Sequence, residues 1–297
     1  MLRKFISILL AVTAALTLCS CSLLRSDAET KNVGSAAVSG ETTASGEESE
    51  KDSDGTGTEA THTTEPGPVY PVPTKRPGDP FTVCIDPGHG YVDPGSTSDY
   101  LEGKWEREVV RDYAERLKEK LEAEGCRVIM LWDENVYVTA AEVASEAKKL
   151  GIEIKEDKLV DDRRFAAYNR SVWANVLHRE TYIDAFVSLH VNTYPADENV
   201  KGTRIYYCSE TKWSAESSKL CTSLAGALSK VLPSQKVRYY ADKAEDSFVV
   251  TKVPEMASVL VEIGFVTNPD EARNILDAEW SDSFVEGLCS GIVACKR

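Results

Sequence analysis

Val83-Cys84-Ile85-Asp86-Pro87-Gly88-His89-Gly90 reads as a buried β-strand that stops abruptly and hands a histidine to a tight glycine turn. Apolar strand residues hold such a turn rigidly, and the glycines let backbone and side chain approach whatever His89 holds. A second stretch, Phe186-Val187-Ser188-Leu189-His190, has the same design: an apolar run ending on an imidazole. A third, Val259-Leu260-Val261-Glu262-Ile263-Gly264-Phe265, carries a carboxylate in the middle of a continuous apolar run. Burying that charge is expensive unless it has a partner or a task.

Between these runs, strands alternate with amphipathic segments. The apolar spacing of Val109, Val110, Tyr113, Ala114, Leu117 and Leu121 predicts a helix over Trp105–Glu124, closed by Gly125. Strands are expected at Phe81–Asp86, Arg127–Trp132, Ala185–His190, Thr203–Cys208, Val237–Tyr240 and Ser258–Ile263. Further helices are expected over about Arg163–His178, Ser214–Val231 and Trp280–Val293. Another starts at Asn268-Pro269-Asp270-Glu271, which has a cap residue, an N1 proline and a box glutamate. Residues 133–160 read as an insertion whose own helix is capped at Thr139 and stops at Gly151. Alternation of this kind means an α/β sheet with helices on both faces and functional residues at strand ends.

Outside residues 81–297, expected to form one domain, the chain changes character. Arg3 and Lys4 precede an apolar run, Phe5–Leu18, too short to span a bilayer comfortably but suited to a secretory signal. Small Ser20 before Cys21 resembles a lipoprotein cleavage box, which would make Cys21 the lipidated first residue and the membrane contact. An uncleaved anchor and an ordinary signal peptide remain the alternatives, and each takes the protein out of the cytoplasm. Residues 22–80 hold almost no large apolar side chain; from Arg25 to Pro80 there is no Leu, Ile, Phe, Met or Trp. Such a stretch cannot offset its ordering entropy and reads as a disordered tether with a stiffer proline-rich end. A net charge of −14 excludes nucleic acid, whose binding needs clustered Lys and Arg. The six cysteines after the signal form no CxxC pair, so no metal or redox motif is built from them.

Histidine is scarce, so its placement is informative. Of the three in 81–297, His89 and His190 end strands, while His178 lies at the polar end of a helix and receives no role. Two imidazoles at strand ends of one sheet point to a shared metal, and a catalytic zinc triad would add one carboxylate and keep a position open. Glu102, Glu106 and Glu108 are the candidates; Glu106, in the first helical turn, can be aimed back at the strand end, and Glu108 faces elsewhere as a solvated charge. Glu262 would then be a general base beside the metal.

Four stretches together carry a family resemblance: Asp86-Pro87-Gly88-His89-Gly90, Trp105-Glu106-Arg107-Glu108-Val109-Val110, Ser188-Leu189-His190-Val191-Asn192 and Val259 through Asn268. They resemble the zinc N-acetylmuramoyl-L-alanine amidases of the bacterial cell wall, over essentially all of 81–297. Arg164-Phe165-Ala166-Ala167-Tyr168-Asn169 is similar to the family's Arg-to-Asn helix segment. The resemblance implies a mixed, mostly parallel sheet, zinc on His89, Glu106 and His190, and Glu262 as the catalytic carboxylate. It also implies peptidoglycan as substrate, cut between N-acetylmuramic acid and L-alanine. The insertion departs from the family pattern and is expected to act as a lid or regulatory arm. No wall-binding repeat is present, and any protein activator is unidentified. Rival expectations are a cysteine peptidase and a non-catalytic or autoinhibited wall-binding lipoprotein.

Overall fold

The computed structural model describes residues 70–131, 138–160 and 166–296. Cys21, the signal, most of the tether, and Arg163, Arg164 and Phe165 lie outside the described residues.

Six strands form one sheet: β1 (Thr82–Pro87), β2 (Arg127–Met130), β3 (Ala185–Asn192), β4 (Thr203–Cys208), β5 (Val237–Asp242) and β6 (Ala257–Phe265), in the order β2-β1-β3-β6-β4-β5. All neighbours run parallel except β4 and β6, which are antiparallel. The most apolar runs, β1, β3 and β6, take the centre because every flank there is covered; β2 and β5 take the edges. The expected mixed, mostly parallel α/β sheet is what the chain forms.

The period of two along each strand divides the core. Val83, Ile85, Val187, Leu189, Val259 and Val261 face one side, against helices α1 (Glu106–Ala123), α4 (Ser214–Val231) and α7 (Ala278–Val293). Cys84, Phe186 and Leu260 face the other, against α3 (Ala167–Glu180) and the one-turn α5 (Val249–Lys252). Helix α6 (Pro269–Leu276) follows β6 directly, with Asn268 accepting from the N–H groups of Asp270 and Glu271. Helix α7 starts two residues before the expected Trp280 because the Asp277 side chain caps it through the Trp280 N–H.

In the insertion, helix α2 (Ala140–Lys149) is held by a reciprocal Thr139–Glu142 capping box. Its Val143 and Ala147 join Val138 and Ile152 in a small core against Val172 and Val176 of α3. The insertion is thus docked on α3, and of its described residues only Val160 reaches the central cleft. Thr139→Ala should cost about 1 kcal/mol of local stability. Faster amide exchange confined to 140–149 would register it.

The last part of the expected tether is bound to the domain. Lys75 pairs with Asp184, whose other oxygen accepts the Thr82 N–H, and the Tyr70 N–H donates to the Leu150 carbonyl. No helix among the described residues is long and apolar enough to cross a membrane.

Candidate active site

Strands β1, β3 and β6 end together, so whatever follows them meets at one edge. Register places Asp86 beside Ser188 and His190 beside Glu262. Alternation from Cys84, Phe186 and Leu260 puts all four of those residues on the α3 face. Asp86 and Ser188 are fully buried; the Arg170 Nε donates to Asp86 Oδ1 and the Ser188 hydroxyl to Asp86 Oδ2, each at 2.7 Å. This buried network ties α3 to the two histidine strands.

Past Pro87 the chain leaves the sheet through Gly88 into a turn in which His89 has a φ of 65°. For a non-glycine residue that backbone is strained, and such strain collects at functional sites. The turn is closed by reciprocal backbone bonds between Gly90 and Asp93, and Asp93 Oδ2 lies 3.0 Å from His89 Nδ1. His89 Nε2 then meets Glu106 Oε2 at 3.1 Å, while His190 Nδ1 meets Glu106 Oε1 at 3.0 Å. The two imidazoles stand edge to face with centroids 5.0 Å apart. Ligand atoms from His89, Glu106 and His190 all lie within 4.8 Å of one another.

Glu106 is held from two further directions, by the Ser96 N–H at 2.8 Å and the Val191 N–H at 3.0 Å. Glycines make the room. A Cβ on Gly88 would sit 2.2 Å from His190 Cε1, and one on Gly95 would sit 2.7 Å from both Glu106 Oε2 and His89 Cδ2.

Electrostatics sort the carboxylates. Burial pushes the Glu106 carboxyl up, but the His190 and His89 hydrogen bonds overcome it and hold the group well below the usual carboxylate range. Burial pulls His89 down, yet Glu106 and Asp93 raise its pKa above the ordinary value. Glu262 behaves oppositely: burial pushes its carboxyl up to about 7, and its Oε2 is buried with no hydrogen-bond partner among the described residues. One carboxylate is thus permanently anionic against two imidazoles, and the other is poised to exchange a proton. The three-residue donor set fits a divalent cation with an open position, and the orphaned Glu262 oxygen lies beside it.

The cleft over these groups encloses about 410 Å³; His89, Asp93, Arg170, His190 and Glu262 form its polar part, and Phe248, Val250 and Leu260 its apolar wall. All four residues singled out from the sequence meet here. Glu108 faces solvent as expected, and its exposed Oε2 also accepts the Trp105 N–H and caps α1. His178 is fully buried, accepts the Ile183 N–H through Nδ1 and is lowered to about 4 by burial and Arg179, which makes it a structural residue. Cys84 is fully buried, and burial and Asp86 raise its thiol well above the ordinary value, so it offers no nucleophile.

Sequence reading missed Asp93; of the Arg-to-Asn segment, Arg164 and Phe165 lie outside the described residues, and buried Asn169 accepts the Val160 N–H and donates to the Val160 carbonyl. The same spacing recurs at Arg170–Asn175, and there the structure shows the ties. Arg170 grips Asp86, and Asn175 clasps the Val253 carbonyl and the Glu255 N–H.

Residues 83–294 match the family described as N-acetylmuramoyl-L-alanine amidase, Amidase_3, and the chain belongs to that family. It is 26% identical over 211 residues to the uncharacterised protein YqiI of Bacillus subtilis, covering 71% of this chain and 82% of YqiI. Identity is also 26% to the N-acetylmuramoyl-L-alanine amidase LytC of Bacillus subtilis, over 73% of this chain and 36% of LytC. For the amidase AmiC of Escherichia coli it is 26% over 77% of this chain and 56% of AmiC. The chain therefore spans about a third of LytC and about half of AmiC. Among solved structures, an N-acetylmuramoyl-L-alanine amidase from Clostridium difficile 630 shares the fold with a TM-score of 0.54 at 21% identity, over 72% of this chain and 96% of that one. The CwlD amidase from Clostridioides difficile, solved in complex with the GerS lipoprotein, also gives 0.54, at 19% identity over 72% and 98%.

Proposed function

We propose that this chain is a zinc-dependent peptidoglycan hydrolase that cleaves the amide between N-acetylmuramic acid and L-alanine. The observation that carries the reading is the convergence of His89, Glu106 and His190 beside a buried carboxyl, Glu262, raised to about 7. In this reading His89, Glu106 and His190 hold the ion, which when bound supplies Lewis acidity towards the scissile carbonyl and towards water. Asp93 accepts from His89 Nδ1–H, leaving the Nε2 lone pair on the ligand side. Glu262 takes the proton from the attacking water and delivers it to the departing L-alanine nitrogen; a pKa near neutrality suits both transfers. The Arg170–Asp86–Ser188 network keeps the strand ends in register while this happens.

Residues 1–21 would export the chain, lipid on Cys21 would hold it on the outer face of the cytoplasmic membrane, and 22–80 would give the catalytic domain reach. Similarity to cell-wall amidases, among them the probable cell wall amidase LytH of Staphylococcus saprophyticus, supports an extracytoplasmic site of action.

The test is digestion of purified peptidoglycan by the full chain, with zinc and with chelator, read as new L-alanine amino termini. Zinc-dependent release is the expected result; a zinc-loaded chain that binds the wall and releases none would establish the non-catalytic reading instead. Within the site, Gly88→Ala should force the His190 ring off Glu106 and lower zinc affinity at least about tenfold, at an overpacking cost of about 1–3 kcal/mol. Competition with a metal-sensitive dye measures the first, and a urea midpoint the second.

A further inference from the structure

The site face of the sheet continues past Glu262. Register carries one row of residues across four strands: His190 lies beside Glu262, Glu262 beside Arg204, and Arg204 beside Arg238 on the edge strand. Paired residues on neighbouring strands project to the same side. Two arginines therefore follow Glu262 outward. A second row holds Leu260, Tyr206 and Tyr240, also in register. The Tyr206 and Tyr240 rings stack at 4.9 Å and 16°, and Phe248 meets Tyr206 edge-on at 5.0 Å. Phe248, 42% exposed, also lines the cleft, so the aromatic row is continuous with it.

The opposite face of β4 is covered by α4 through Ile205, Leu220 and Leu224. On the site face, the one-turn α5 is what packs against β4. Arg204 lies over the Phe265 ring at 4.5 Å with its Nε buried and unpartnered, and Arg238 is exposed. Among the described residues neither arginine enters an ion pair, in a chain of net charge −14 with 48 acidic residues. Arg204 acts electrostatically on Glu262 and Tyr206, and Arg238 is exposed one strand further out; two cations without an ion pair in this row of so acidic a protein favour an anionic ligand there.

Spacing narrows the ligand. Strands lie about 4.8 Å apart, so Arg204 and Arg238 stand about 5 and 10 Å from Glu262 along the row. A peptide extended along this row, advancing about 3.3 Å per residue, would pass Arg204 between its first and second residues beyond Glu262 and Arg238 near its third.

We propose that this shelf is the subsite for an acidic stem peptide, with Arg204 and Arg238 taking its carboxylates and the Tyr206, Tyr240 and Phe248 rings covering its apolar parts. The proposal rests on the hydrolase reading above and names the part of the substrate that this chain selects.

The experiment compares two muramoyl peptides, one with free carboxylates and one with the same groups amidated. For the zinc-loaded full chain, kcat/KM is expected to be at least about tenfold higher on the free form, chiefly through KM. Arg238→Ala should lose most of that preference and Arg238→Glu should reverse it; Arg238 is exposed on an edge strand, and an unchanged urea midpoint would confirm an intact fold. Calorimetric binding of both peptides to the Glu262→Gln chain reads the preference without turnover. Turnover with no preference between the two peptides, or a preference set by glycan length alone, overturns the subsite and leaves the hydrolase standing. Preferential binding of the free form with no turnover by the wild type upholds the subsite and overturns the hydrolase. Neither binding nor turnover overturns both.

Discussion

Glu262→Gln is expected to keep its metal and its fold and to lose about a thousandfold or more of amide hydrolysis. The substitution is nearly isosteric, and Glu262 stands outside the three-residue cluster able to hold the ion. What it removes is the one group in the cleft whose carboxyl sits near neutral pH, raised to about 7 by burial against the opposing influence of His190. Stability supplies a second readout, free of turnover. In the folded, metal-stripped chain Glu262 keeps its proton up to about 7, whereas in the unfolded chain it loses it near the ordinary 4.5. Between those values the folded state binds the extra proton, so the wild type loses stability as pH rises through the window. The glutamine variant has no such titration. It should match the wild type near pH 5 and exceed it near pH 8 by on the order of 3 kcal/mol. Urea midpoints in chelator at the two pH values measure the difference. Full hydrolytic activity in the variant would remove Glu262 from the chemistry.

The strand ends were legible because their signals are local: apolar runs, glycine stops and histidines too scarce to be incidental. The carboxylate ligand was less so. Glu102, Glu106 and Glu108 fall within seven residues of one another, and spacing alone ranks them weakly. Folding separates them by destination. Glu102 sits at a φ of 54° at the exposed end of a short turn, Glu108 folds back to cap α1, and Glu106 alone enters the interior. Asp93 carried no periodic signal, since its partnership with His89 is made by a loop that doubles back on itself. The two Arg-to-Asn spacings, at 164 and at 170, are indistinguishable in a one-dimensional pattern. What the pattern does not carry is the long-range contact of Arg170 to Asp86 across 84 residues, which only the fold makes. Composition likewise described 70–80 as tether, because what holds that stretch is one ion pair and backbone bonds rather than apolar burial.

The largest loss of metal should come from Glu106→Gln. Removing partners that only orient a ligand commonly costs 10–100-fold in metal affinity, so removing an anionic ligand should cost more than about a hundredfold. Turnover should fall with it. The distinguishing feature is how that affinity varies with pH. Glu106 and Asp93 raise the His89 pKa, so in the metal-free chain a proton competes for the imidazole at mildly acidic pH. For His89 the sign is that of a raised base: its pairing with Glu106 stabilises the metal-free chain fully below the ordinary histidine pKa and is lost as pH rises through the raised one. Glu106, held low, contributes above the ordinary carboxylate range and loses that contribution only in strong acid. Zinc uptake by the wild type should therefore release protons and weaken as pH falls from 7.5 to 5.5, more steeply than for a chain lacking the Glu106 charge. In Glu106→Gln the His89 pKa drops, the competition moves to lower pH and the slope of log affinity against pH flattens over that range. Chelator competition at the two pH values gives both numbers. A variant with wild-type affinity and an unchanged slope would mean that Glu106 holds the two histidines in place and does not itself bind the ion.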